Sequence, residues 1–129
     1  MVFTLPIYYT KEYKTKPSKT MMVGMNQFMD QRWIRNEVKQ AWQEDILTAC
    51  KNIGPILGPY QVHYDLYYKN PSCDPSNIVA LSEKIFLDAI QKAGLVKDDN
   101  VQHHKGSSYS VIDKDVDNPR VEITISAAS

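Results

Sequence analysis

The residues whose types and spacing suit chemistry fall between positions 72 and 101: Asp74, Lys84, Asp88, Asp98 and Asp99. Asp74 leads into a segment where Pro75 suits a first helical turn and Ser76 or Asn77 can cap it. Ile78, Leu81, Ile85, Ala89 and Ala93 then recur at helical spacing, with Phe86 and Ile90 widening the apolar stripe. Gly94 is placed as a helix stop, and Asp98 and Asp99 follow at once. At about 100° per residue, Lys84 and Asp88 lie within about 20° of Asn77 on the helix circumference. A lysine between acidic termini, beside the core face, suggests a site for a metal ion and a phosphate. The plain alternative is a solvated helix face.

Chemistry at a phosphate needs charge neutralised on the phosphoryl oxygens, an activated water and help for the leaving oxygen. Hard oxygen ligands holding Mg²⁺, or Mn²⁺ in its place, supply all three. Asp74 arrives from a strand end and Asp99 from a helix exit, so the expectation is that these distant carboxylates meet at one metal.

The rest of the chain must position them. Residues 2 to 9 alternate weakly and read as a strand, with Pro6 confining part of it to an edge or bulge. Residues 10 to 22 form a polar arm in which Lys11, Lys14, Lys16 and Lys19 surround Tyr13; such an arm lies along phosphates or is a bare flexible hairpin. Residues 26 to 53 carry the longest helical pattern, with Phe28, Trp33, Ile34, Val38, Trp42 and Ile46 on a broad apolar face, stopped by Gly54-Pro55. Arg32, Arg35 and Lys39 point in other directions. Val62, Tyr64, Leu66 and Tyr68 alternate with polar positions as in a half-buried strand, and His63 on that strand reads as structural or surface. Residues 100 to 112 and 120 to 126 read as two more strands, separated by a turn at Asp113-Lys-Asp-Val-Asp-Asn-Pro. His103 and His104 are adjacent, so on a strand their rings diverge and do not share a metal. The expected fold is one α+β domain over residues 1 to 129: a mostly antiparallel mixed sheet with two main helices packed on it.

Composition narrows the function. No apolar run reaches membrane-spanning length, and Met-Val-Phe-Thr-Leu-Pro lacks the basic start of a secretory signal, so the expected location is the cytoplasm. Cys50 and Cys73 are too few and too unpatterned for a disulfide framework or a zinc site. A formal net charge of zero argues against coating DNA by bulk attraction. The first forty residues nonetheless hold seven basic side chains against Glu12, Asp30 and Glu37, a basic third set beside an acidic pocket.

The run Asp-Pro-Ser-Asn-Ile followed by Glu-Lys-Ile-Phe-Leu-Asp-Ala-Ile-Gln-Lys-Ala-Gly-Leu-Val-Lys-Asp-Asp resembles the core of the RusA family of Holliday junction resolvases, small phage and prophage endonucleases that cut four-way DNA junctions. The resemblance implies a RusA-like fold and a Mg²⁺-dependent nuclease acting in recombination and repair in a bacterial host cell. It implies Asp74 and Asp99 as essential acids, Asp98 as the less critical member of the terminal pair, and Lys84 at the scissile phosphate, oriented by Asp88. DNA contacts are expected from Lys11, Lys14, Lys16, Lys19, Arg32 and Asn77. A homodimer is implied as well, since two symmetric nicks in a two-fold junction call for two symmetric sites. The long helix with its tryptophans is the candidate interface. The sequence departs from the pattern at Ser76, where the family carries its second acid. A serine offers a neutral oxygen, so the expectation is weakened cleavage, and the alternative is a protein that binds branched DNA or regulates another nuclease without cutting.

Overall fold

The structure is a computed structural model that describes residues 2–30 and 32–128; the side chains of Trp33 and Ile34 lie outside the described part. The first strand is shorter than the sequence suggests. Val2–Pro6 (β1) buries Phe3 and Leu5 and turns Val2, Thr4 and Pro6 outward. Its pairing ends at Pro6, as a residue without an N–H favours. The chain continues as a separate strand, Tyr8–Lys11 (β2), which pairs antiparallel with Lys19–Met22 (β3). The lysine-rich arm is therefore a two-stranded hairpin whose bend holds Lys14 and Lys16.

Met25–Asp30 (α1) and Arg32–Cys50 (α2) cover the expected long helical stretch, on either side of Gln31. Phe28, Val38, Trp42, Ile46 and Cys50 are buried at helical spacing. Tyr60–Tyr68 (β4) buries every second residue from Tyr60 to Leu66, as its alternation requires. Pro75–Lys92 (α3) follows, and Ile78, Leu81, Ile85, Phe86, Ala89 and Ile90 form its inner face. Gly94, at φ +74°, takes the left-handed conformation that ends it. His104–Lys114 (β5) and Arg120–Ala127 (β6) complete the set.

The four-stranded sheet runs β1-β6-β4-β5. β6 is antiparallel to both β1 and β4, while β5 lies parallel to β4. Parallel neighbours need a long crossover, and α3 provides it. The fold is α+β. The helices cover one face: Tyr64, Leu66, Ile123 and Ile125 from the sheet meet Trp42, Ile46, Leu81, Ile85 and Phe86 in one core, with the Phe3 and Phe86 rings edge to face at 5.0 Å. Among the described residues no helix is long and apolar enough to cross a membrane.

Candidate functional site

Asp74 is the N-cap of α3, a role the sequence suggested for Ser76 or Asn77. Its Oδ1 accepts from the Ser76 amide at 3.1 Å, the Asn77 amide at 3.4 Å and the Ser76 hydroxyl at 2.8 Å. The first helical turn leaves these N–H groups without intrahelical partners, and an exposed carboxylate at the positive end of the helix dipole satisfies them. Ser76 therefore turns its one hydroxyl onto Asp74 as a neutral donor.

Asn77 does something the sequence did not foresee. Its Oδ1 accepts the Asn26 amide at 2.7 Å, and its Nδ2 donates to Gln27 Oε1 at 3.2 Å, which also accepts from the Gly24 amide. The side chain expected to contact DNA instead docks α3 onto the start of α1. Gly24 leaves the room: a methyl group there would overlap the Asn77 amide.

The second acidic group sits elsewhere. Asp98 Oδ1 accepts the Asp99 amide at 2.7 Å and Oδ2 accepts from Asn100 Nδ2 at 3.2 Å, so Asp98 organises the turn while Asp99 is exposed. The backbone carbonyl of Asp98 accepts the Tyr60 hydroxyl at 2.8 Å. That bond fixes the turn at the start of β4. Burial, then the charges of Asp99 and Asp98, push the Tyr60 hydroxyl up to about 12. The Tyr60 ring stacks on His104 at 5.4 Å, and His104 in turn bonds the Ser107 hydroxyl, which donates to Glu83 on α3 at 3.0 Å.

Asp74 thus stands where β4 finishes and Asp98–Asp99 where it starts. The 18-residue α3 between them spans about 27 Å at 1.5 Å per residue. The expectation that Asp74 and Asp99 meet at one metal fails within a single chain, because a rigid helix holds them apart. Among the described residues no three His, Cys, Asp or Glu side chains gather in a way that could hold an ion. Lys84 is exposed partway along α3, one turn before the half-buried Asp88, as the spacing requires.

The basic residues divide. Lys11 is paired with Glu37 at 2.8 Å, so its charge is met within the fold. Lys14, Lys16 and Lys19 are exposed on the hairpin, with the Lys16 ammonium 4.3 Å from the Tyr13 ring centroid, and Arg32 is exposed at the head of α2. Sequence reasoning passed over Lys69, whose ammonium lies 5.3 Å from the Tyr8 ring centroid at the Asp74 end of the sheet. A strand-end lysine carries no periodic signal, so nothing in the sequence marked it. Cys73, beside Asp74, is half-buried; burial, with a smaller push from Asp74 and against a backbone hydrogen bond, raises its thiol above the ordinary range. It is a neutral loop residue. His63 bonds Ser108 on the neighbouring β5 at 2.6 Å and Asp65 on its own strand at 3.0 Å, in keeping with a structural role. Trp42 lies in the core and is not an interface residue; Trp33 falls outside the described side chains.

Compared with known protein families and with curated proteins, the chain matches none.

Proposed function

We propose that this chain is a metal-dependent endodeoxyribonuclease that resolves four-way DNA junctions in recombination and repair, in the manner of the RusA resolvases its sequence resembles, and that its site is shared between two copies. The observation carrying the reading is the placement of Asp74 and Asp98–Asp99 at opposite ends of α3. A two-fold axis beside α3 runs the two helices antiparallel, so that the Asp74 end of one copy meets the Asp98–Asp99 end of the other. One pairing then makes two equivalent acidic sites, matching the two strands a junction resolvase must cut.

In that arrangement Asp74, Asp99 and Asp98 would hold Mg²⁺ or Mn²⁺, which would neutralise phosphoryl charge and activate water. Ser76 keeps Asp74 oriented through its hydroxyl. Lys84 supplies positive charge to the phosphate, and the hairpin lysines hold the flanking backbone. The cell interior of a bacterial host is the proposed setting.

The Ser76–Asp74 bond also favours a second reading, in which the same dimer grips a branched DNA without cutting it, because a neutral donor replaces an acid.

A labelled four-way junction in Mg²⁺ and in Mn²⁺ tests both. The intact chain should cut, and Asp74→Asn and Asp99→Asn should each abolish cutting. A heterodimer of those two variants retains one complete site, so it should nick one strand. A heterodimer as dead as its parents, beside an active intact chain, overturns the shared site. Binding without cleavage, repaired by Ser76→Asp, selects the second reading; neither binding nor cleavage overturns both.

A further inference from the structure

We propose that Ser108, His63 and Asp65 form an acyl-transfer site on the face of the sheet that the helices leave open, acting on esters of small uncharged acyl groups. On β4, Gln61, His63 and Asp65 alternate with the buried Val62, Tyr64 and Leu66, so they point away from the helices. The register sets Ser108 and Ser110 of β5 beside His63 and Asp65, with Thr124 of β6 on the other side of His63. A hydroxyl, an imidazole and a carboxylate thus meet on one patch of sheet.

The hydrogen bonds that hold His63 also put these groups in the order of an activated serine. Asp65 Oδ1 lies 3.0 Å from Nε2, and a carboxylate only accepts, so Nε2 carries the ring proton. Ser110 Oγ, 3.2 Å from the same nitrogen, shares that N–H. Nδ1 is left as an acceptor, and the Ser108 hydroxyl donates to it at 2.6 Å. Glu122, level with Asp65 on β6, is held by Arg120 at 2.9 Å, which leaves Asp65 to orient the imidazole. A nucleophile in reach of a base, with the base held by a third group, is what raises a serine above its ordinary reactivity.

A cavity of about 260 Å³ opens beside Ser108, lined also by Gln61, His63, Gly106, Thr124 and Ser126. Its lining holds no Asp, Glu, Lys or Arg, which suits a neutral acyl group and not a phosphate. At Gly106 a methyl group would meet nothing within 4 Å, so the space is open there. In the first step Ser108 Oγ bonds to the acyl carbon of the ester while its proton passes to His63 Nδ1. Asp65 stabilises the imidazolium so formed. Gln61, two residues before His63 on the same face, offers side-chain N–H donors to the carbonyl oxygen as it gains charge. The bond to the alcohol then breaks, and the alcohol leaves with the proton from Nδ1. Water attacks the acyl-serine, gives a proton to Nδ1 and releases the acid, and Ser108 regains its hydroxyl.

His63 is the base throughout, so the reaction should survive chelation, unlike junction cleavage. Turnover of para-nitrophenyl acetate by the full chain in excess EDTA tests it, together with a fluorophosphonate label located by mass spectrometry. The intact chain should hydrolyse the ester and carry the phosphonyl group on Ser108, whose oxygen displaces fluoride. Ser108→Ala and His63→Gln should each lower turnover by about a hundredfold and abolish labelling. Ser108 is exposed, so its alanine variant keeps the fold. Asp65→Asn should lower kcat by about tenfold with KM unchanged, as a residue that only positions the base does. Gly106→Leu leaves all three groups in place and should block both turnover and labelling by filling the cavity. An intact chain that takes no label on Ser108, or a Ser108→Ala variant that turns over the ester as fast, overturns the proposal. Neither result bears on the nuclease reading, which rests on other residues.

Discussion

Because the Asp74 carboxylate closes the first turn of α3 through Oδ1 while placing a negative charge at the surface, its two contributions respond differently to substitution. Asparagine caps about as well as aspartate, so Asp74→Asn should leave thermal stability nearly unchanged and remove only the charge. Asp74→Ala loses the cap too and should cost about 1 kcal/mol, read as a lower denaturation midpoint. If Asp74→Asn lowers the midpoint as far as Asp74→Ala does, its effect on cleavage says nothing about a metal. Tyr60 offers a test at the other end. Its hydroxyl is held neutral in the fold, raised to about 12 from the ordinary 10, so the folded state keeps its proton where the unfolded chain has lost it. The stability this provides is complete below pH 10 and drains away as the pH rises toward 12. Tyr60→Phe should flatten that alkaline decline in a pH series of urea midpoints, and an unchanged decline would assign it to other groups. The substitution also loses the bond to the Asp98 carbonyl, so its stability at neutral pH should fall by about 1 kcal/mol.

The docking of α1 onto α3 turns on two side chains of unequal size. Asn77 satisfies the Asn26 amide and Gln27, while Gly24 gives it space. Gly24→Ala should therefore destabilise by about 1 to 3 kcal/mol through overpacking. Asn77→Ala should cost about 1 kcal/mol by removing both side-chain bonds that dock the two helices. The double variant should cost clearly less than the two together, because shortening Asn77 removes the clash; strict additivity in denaturant titrations would show that the methyl is accommodated elsewhere. This contact was illegible beforehand, since it joins residues about fifty positions apart and neither breaks a local pattern. The elements themselves were legible wherever one face is buried: β4, α3 and β6 carry their periodicity in the sequence, and the structure holds them within a residue or two of the expected bounds. Where burial gives way to exposure the reading slipped. The stretch from residue 2 to 9 became two strands on different sheets, and β5, mostly exposed, starts four residues late.

Across the molecule, the acidic residues singled out from the sequence stand apart within one chain. A motif reads as contiguous in sequence, yet a helix of 18 residues sets its two ends far apart, and the proposed pairing of two copies is what would reunite them. The same holds for charge. On the proposed reading, a chain of zero formal charge would attract DNA through its distribution, and three exposed lysines, Lys14, Lys16 and Lys19, stand together on the β2–β3 hairpin. Each lysine that neutralises a phosphate releases counterions and steepens the salt dependence of binding by about 0.9 in the slope of log K against log salt. Replacing Lys14, Lys16 and Lys19 together by alanine should reduce that slope by about 2 to 3 per chain engaged, with little change in thermal stability, because all three are exposed. Lys11→Ala should do the reverse. It breaks the pair with Glu37 that ties β2 to α2, so it should lower stability modestly and leave the slope nearly as it was. Junction binding measured between 50 and 200 mM salt separates these outcomes. A slope indifferent to the three hairpin lysines would mean that the DNA lies on another face, with Lys69 and Arg32 as the next cations to remove.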